Sequence, residues 1–308
     1  MASPTRRRLR RLGFHLISTL ARLVRPLGMP GLRRVGQWVG EMRFRISLRE
    51  RRRLARHLTQ VLGPDVEPAD VRRILRQAYR NSDRSAFEIV AMGAAPFSAD
   101  MVRSACEVEG FERLRSAAES GPGAILLGMH MTNGILMAAR LAAEGLPVTV
   151  VYRESRKMSP GFFDRLLPSH GLEGIDARNR SSAYRQMLRA LRAGRIVFVL
   201  MDQGTKHGGV TVEFLGKTLD MAAGPAELAR RARVPVLPAL PLGGDEVWRF
   251  QIGEPLTLPV ESTEASAAVL AQSMEQHIRS HPELWSWHHR KWRRMPVGAI
   301  ESAARPAP

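Results

Sequence analysis

The run Ala124-Ile125-Leu126-Leu127-Gly128-Met129 is apolar without interruption and stops at His130. A short run of this kind suits a strand buried on both faces, as in a parallel sheet covered by helices. Residues 147–152, 196–201 and 234–239 repeat the pattern. Helical segments lie between them. One runs from Thr132-Asn133-Gly134 to near Gly145, one covers 181–193 and closes at Gly194, and one opens at Gly224-Pro225. Strands alternating with helices predict an α/β fold, a mostly parallel sheet flanked by helices. Residues 210–214 alternate, as an edge or half-exposed strand does, and 247–258 reads as a further strand. Residues 263–293 read as helical, broken at His281-Pro282.

Upstream of this core the period is helical throughout, which predicts an N-terminal helical region. Residues 47–62 end at Gly63-Pro64. A longer helix opens at Glu67-Pro68 and carries its stripe on Val71, Ile74, Leu75, Ala78 and Tyr79. There is no internal repeat. The chain divides into a basic amphipathic membrane-associating segment (1–46), a helical region (47–120), an α/β core with C-terminal helices (121–294) and a tail (295–308).

Charge narrows the partners. The 308 residues hold 47 Lys plus Arg against 29 Asp plus Glu, a net charge of +18, and nearly all the cations are arginine. Such a balance calls for an anionic partner. Aromatic residues are only 6% and lie mainly outside the arginine-rich helices, so no nucleic-acid partner is expected. Arg6, Arg7, Arg8, Arg10 and Arg11 precede a short apolar run that Arg22 stops. The run falls short of the roughly 20 residues a spanning helix needs, and no cleavage pattern follows it. Phe14, Ile17, Leu20, Ala21 and Val24 recur at helical spacing, as in a helix lying in the interface of an anionic membrane. The alternative is a basic tail whose apolar face packs on the domain. Trp285, Trp287 and Trp292, set among arginines, allow the same two readings: a membrane-surface belt or packing onto the core. The lone Cys106 forms no internal disulfide and fits a cytosol-facing protein. No metal site is expected, since adjacent His288 and His289 point apart on a helix. Gly204-Thr205-Lys206 lacks the upstream glycine of a phosphate loop.

Ligands of open α/β sheets bind at the carboxyl ends of the strands. Three such ends carry polar residues here: His130, Arg153 and Asp202-Gln203. A histidine so placed can take a proton from an attacking hydroxyl. Arg153 can hold a phosphate, and Asp202 can orient the histidine or bind an acceptor. Each has a plainer reading as a satisfied loop histidine, a surface ion pair or a turn cap. Their recurrence on three strand ends favours a site.

At these residues the chain resembles the late (lauroyl/myristoyl) acyltransferases of lipid A biosynthesis, within the lysophospholipid acyltransferase superfamily. The likeness runs through Val108-Glu109-Gly110-Phe111-Glu112-Arg113-Leu114, His130, Val151-Tyr152-Arg153, Met201-Asp202-Gln203, Gly208-Gly209-Val210, Phe214-Leu215-Gly216, Gly224-Pro225-Ala226 and Pro282-Glu283-Leu284-Trp285-Ser286-Trp287, in order and at fitting spacing. It implies a peripheral enzyme on the cytoplasmic face of the bacterial inner membrane. Such an enzyme moves an acyl chain from acyl carrier protein, or a similar thioester, to a hydroxyl of a lipid A precursor or related lipid acceptor. It implies no metal or redox cofactor. His130 is the expected general base, and Met131, Thr132, Asn133, Tyr152, Arg153, Gln203 and Phe214 are the expected substrate-binding residues.

One position departs from the family. Its motif is a histidine, four residues, then Asp or Glu, and Ile135 stands where the acid belongs. An isoleucine can neither hold a ring tautomer nor offset a positive charge. Three readings follow. Another carboxylate takes the role, Asp202 first, Glu213 second and Glu154 third. Alternatively, His130 works alone on an unusual acceptor. Or catalysis is lost and the protein binds lipid or acyl chains at the membrane.

Overall fold

The computed structural model describes residues 16–154, 158–205, 209–259 and 261–288. Phe14, Trp292 and the tail lie outside them. In chain order the elements are α1 (16–24), α2 (Gly28–Ile46), α3 (Leu48–Leu62), α4 (Pro68–Ala94), α5 (Ala99–Ala105), β1 (Cys106–Glu109), α6 (Phe111–Ser120), β2 (Ala124–Gly128), α7 (Gly134–Ala143), β3 (Val148–Tyr152), α8 (Phe162–Leu166), β4 (Glu173–Asp176), α9 (Arg180–Arg192), β5 (Ile196–Leu200), β6 (Gly209–Phe214), β7 (Lys217–Ala222), α10 (Gly224–Ala232), β8 (Val236–Gly243), β9 (Trp248–Ile252) and α11 (Thr263–Ser280).

Seven strands form one sheet in the order β1-β9-β8-β2-β5-β3-β4. Every pairing in it is parallel except β8 with β9. The apolar runs are continuous because both faces are covered. On β2, Ile125 and Leu127 join a cluster with Leu191 of α9, Leu228 of α10 and Leu270 of α11. Ala124 and Leu126 join a second cluster with Leu136 of α7 and Phe87 of α4. A one-residue slip would exchange these two sets, so the register is strongly specified.

Two expectations change, and a third, the half-exposed strand at 210–214, becomes more specific. Cys106–Glu109 reads as part of a helical region but is an edge strand paired with β9. Four residues are too few to display a period against the helices on either side. Residues 210–214 do not join the main sheet; β6 pairs with β7 as a separate two-stranded hairpin, with one face buried and one exposed. The last helix ends at Ser280, and the chain then turns through Pro282–Trp287 and buries both tryptophans.

The N-terminal helices are bound tightly to the core. Helix α2 lies on α4 through Gly36 and Gly40. A Cβ at Gly36 would stand 2.7 Å from the Arg84 Cα, and one at Gly40 would stand 2.7 Å from the Arg80 Cα. On α1 the apolar positions divide. Ala21 and Val24 are buried, whereas Leu16, Ile17, Leu20 and Leu23, with Leu27 just beyond, are exposed. Among the described residues, no helix is long and apolar enough to cross a membrane.

Candidate active site

Strand register brings His130 to Asp202. Strands β2 and β5 are neighbours, with Gly128 paired to Leu200. His130 lies two residues beyond the first of these and Asp202 two beyond the second, so both emerge at one level of the sheet edge. The His130 Nδ1 lies 2.6 Å from Asp202 Oδ1, and the His130 backbone N–H donates to Asp202 Oδ2 at 2.8 Å. Asp202 is fully buried, while the His130 side chain keeps 29% of its surface. A carboxylate out of water beside a ring that reaches solvent favours the Nδ1–H tautomer, which puts the ring's lone pair on Nε2.

Two further groups frame the pair. Trp285 donates its indole N–H to Asp202 Oδ2 at 2.7 Å. The Trp285 backbone forms an isolated antiparallel bridge with Met131, and Ser286 N–H donates to the His130 carbonyl at 2.9 Å. The turn after α11 therefore braces both halves of the site, and Trp285 and Trp287 belong to the core rather than to a membrane belt. The Gln203 amide nitrogen lies 3.2 Å from His130 Nδ1 and 3.0 Å from Nε2. With Nδ1 protonated, that nitrogen can donate only to Nε2, the ring atom an incoming hydroxyl has to reach.

The segment after His130 is held rather than open. Met131 is buried in the core. Thr132 has φ +52°, a left-handed conformation that is costly for a β-branched residue, and its hydroxyl donates to the Met131 carbonyl at 2.7 Å. Asn133 is fully buried and caps α7: its side-chain oxygen accepts from Leu136 N–H at 3.0 Å, and its amide donates to Glu88 Oε2 at 3.1 Å. Both ends of Asn133 are thus engaged within the protein, so it holds the loop instead of facing a substrate. Ile135 sits in the first turn of α7, partly buried against the second apolar cluster. The carboxylate that meets the ring comes from the neighbouring strand.

The other expected residues scatter. Glu213 is exposed on β6 and accepts from the Thr218 hydroxyl of β7; it makes no bond to His130. Phe214, next along that strand, points the other way and is fully buried in the core, which leaves it no face for substrate. Glu154 accepts from Phe162 N–H and lies 3.7 Å from Arg178. Tyr152 donates its hydroxyl to Asp164; burial first, then this bond, pushes the phenol well above its ordinary value, so it stays protonated. Arg153 follows β3 and is exposed, on the far side of β5 from His130. Sequence reading missed Glu88. Its signal was the pair Arg84 and Glu88, one helical turn apart on the apolar face of α4.

A ring backed by a buried carboxylate, at the carboxyl edge of a parallel sheet, is equipped to take a proton from a hydroxyl. Fold, site and similarity together define the class as a lipid acyltransferase. Residues 2–294 match the family described as bacterial lipid A biosynthesis acyltransferase, and the chain belongs to that family. It is 24% identical over 245 residues to the phosphatidylinositol mannoside acyltransferase of Mycobacterium tuberculosis (strain CDC 1551 / Oshkosh), covering 78% of this chain and 76% of that protein. It is 23% identical over 282 residues to the lipid A biosynthesis lauroyltransferase of Escherichia coli (strain K12), covering 90% of each. The palmitoleoyltransferase of the same organism matches at 23% over 282 residues, 88% of each chain.

Proposed function

We propose that the protein transfers a fatty acyl chain from acyl carrier protein, or a similar thioester, to a hydroxyl of a lipid A precursor or related glycolipid, with His130 as general base. The observation that carries this is the 2.6 Å contact between His130 Nδ1 and the buried Asp202 carboxylate. In the proposed step Nε2 takes the acceptor's hydroxyl proton as its oxygen attacks the thioester carbonyl. The tetrahedral adduct collapses, the C–S bond breaks, and the imidazolium returns the proton to the leaving thiolate, giving an ester and a free thiol. Asp202 holds the ring and offsets its transient charge, which is the duty Ile135 cannot perform. This contact favours an active site over a relic that only binds lipid. Arg153, exposed near the same sheet edge, suits a phosphate of the acceptor. The test is acyl transfer by purified protein from acyl carrier protein thioester to candidate lipids. Transfer that vanishes in His130→Ala is the expected result; equal transfer by both proteins would overturn it.

The setting proposed for this reaction is the cytoplasmic face of the bacterial inner membrane. Leu23 is 72% and Leu27 68% exposed, beside Leu16, Ile17 and Leu20. Apolar side chains so displayed, with exposed Arg22 among them, suit the interface of an anionic bilayer. Flotation with anionic liposomes should carry the wild type upward and leave the double variant Leu23→Glu/Leu27→Glu behind. A wild-type protein that stays at the bottom would sink this reading.

A further inference from the structure

Helix α4 carries a charged pair inside the protein. Arg84 is 1% and Glu88 0% exposed, and Arg84 Nε donates to Glu88 Oε1 at 2.8 Å. The rest of the guanidinium is engaged as well. It donates to the carbonyls of Gly244 at 2.8 Å, Asp245 at 3.1 Å and Glu246 at 3.3 Å, and it lies 3.8 Å from the centre of the Trp248 ring. The second carboxylate oxygen, Oε2, accepts from Trp248 Nε1 at 2.6 Å and from Asn133 Nδ2 at 3.1 Å.

Stability alone does not account for this arrangement. An apolar pair of similar volume commonly holds a fold as well as a buried ion pair does. What no apolar side chain supplies is an acceptor for the Asn133 amide. That amide is one of two anchors on Asn133, the other being the Leu136 N–H at the start of α7. Between Asn133 and His130 stand only Met131, bridged to Trp285, and Thr132 in its left-handed conformation. A β-branched residue leaves that conformation once a neighbour stops enforcing it. Releasing Asn133 would therefore remove a restraint on Thr132 and, through it, on the seating of His130 against Asp202.

We propose that Glu88, held in place by Arg84, is a positioning residue for His130 and acts through Asn133 and the strained Thr132. This rests on the reading of His130 as the general base. A displacement of about 1 Å in a reacting group can cost about 10²-fold in rate, so loss of the anchor should appear in kcat and not in KM.

The experiment uses the full-length protein, with palmitoyl-coenzyme A as acyl donor, a lipid A precursor as hydroxyl acceptor and acceptor-dependent thiol release as the signal. The variants are Glu88→Gln, Asn133→Ser, His130→Ala and Leu58→Ala. Asn133→Ser keeps an oxygen that can cap α7 but removes the amide that reaches Glu88. Leu58→Ala truncates a core residue on α3 and serves as a destabilised control. A second readout needs no turnover: the downfield proton resonance of His130 Nδ1–H, assigned by its loss in His130→Ala. Glu88→Gln and Asn133→Ser should lower kcat about 10²-fold at unchanged KM and weaken the Nδ1–H resonance, and Leu58→Ala should do neither. If Glu88→Gln does not fold, Asn133→Ser decides. Variants that melt earlier but keep kcat and the resonance would overturn the proposal, as would a raised KM at constant kcat. Full activity in His130→Ala would instead overturn the acyl-transfer reading, and the resonance would still test the positioning role.

Discussion

Replacing Asp202 with asparagine tests the site most directly. Among the described residues Asp202 accepts from three N–H groups: the His130 backbone at 2.8 Å, His130 Nδ1 at 2.6 Å and Trp285 Nε1 at 2.7 Å. An asparagine has one carbonyl oxygen to offer in place of two carboxylate oxygens. If that oxygen serves the backbone N–H and the indole, the amide nitrogen turns toward Nδ1. An amide donating to Nδ1 stabilises the tautomer protonated at Nε2, which has no lone pair for the acceptor hydroxyl. The equivalent change in the serine-protease triad costs about 10⁴ in kcat for this same reason. His130 is partly exposed, so water can rescue some of the productive tautomer. The expected loss is therefore about 10²–10⁴-fold, or roughly 3–5 kcal/mol of transition-state stabilisation. Stability should fall by only about 1–3 kcal/mol, the cost of a poorly matched buried donor. The assay is steady-state acyl transfer at saturating thioester, paired with thermal melting monitored by circular dichroism. A folded Asp202→Asn protein with wild-type kcat would refute the assignment of this carboxylate to the ring.

Trp285→Phe keeps the ring but removes the indole donor to Asp202. About a tenfold loss in kcat, with about 1 kcal/mol of stability, should appear in the same two measurements; unchanged kcat would show that the donor is dispensable. Gly40→Ala should destabilise the fold even though alanine is the better helix former by about 1 kcal/mol, because the new Cβ would meet the Tyr79 carbonyl oxygen at 2.6 Å. Overpacking of this kind costs about 1–3 kcal/mol, so chemical denaturation should show a net loss, and a gain would contradict the packing of α2 on α4. His277 donates from Nε2 to the Pro241 carbonyl at 2.8 Å, and burial pushes its pKa down to about 4. Between that value and the unfolded value near about 6.5, the unfolded chain binds the extra proton, so stability falls as pH drops through this window. From about pH 7.5 to about pH 5 the wild type should lose about 2 kcal/mol more than His277→Gln; parallel pH curves would refute the assignment.

Much of this protein was legible in its sequence. The continuous apolar runs around Leu126, Val150 and Phe198 declare strands covered on both faces, because only such strands have no polar side. That periodicity gave the sheet, and the strand ends gave His130 and Asp202 as polar residues at one edge. The ordered motifs gave the family. Tertiary structure decided the rest. Sequence offers Asp202, Glu213 and Glu154 in that order as candidate carboxylates without fixing which meets the ring, since distance along the chain does not encode distance across a sheet. The β2–β5 register sets Asp202 against the ring, while the pleat of β6 turns Glu213 to solvent. Trp285 read equally well as a membrane belt or as core, and the choice depended on a turn more than 150 residues from His130 folding back onto it. Asn133 and Glu88, one expected to meet substrate and the other overlooked, proved to be partners. Local patterns report which faces are apolar. They do not report which buried polar groups meet, because those pairings join chain segments far apart in sequence, and the packed fold alone brings them together.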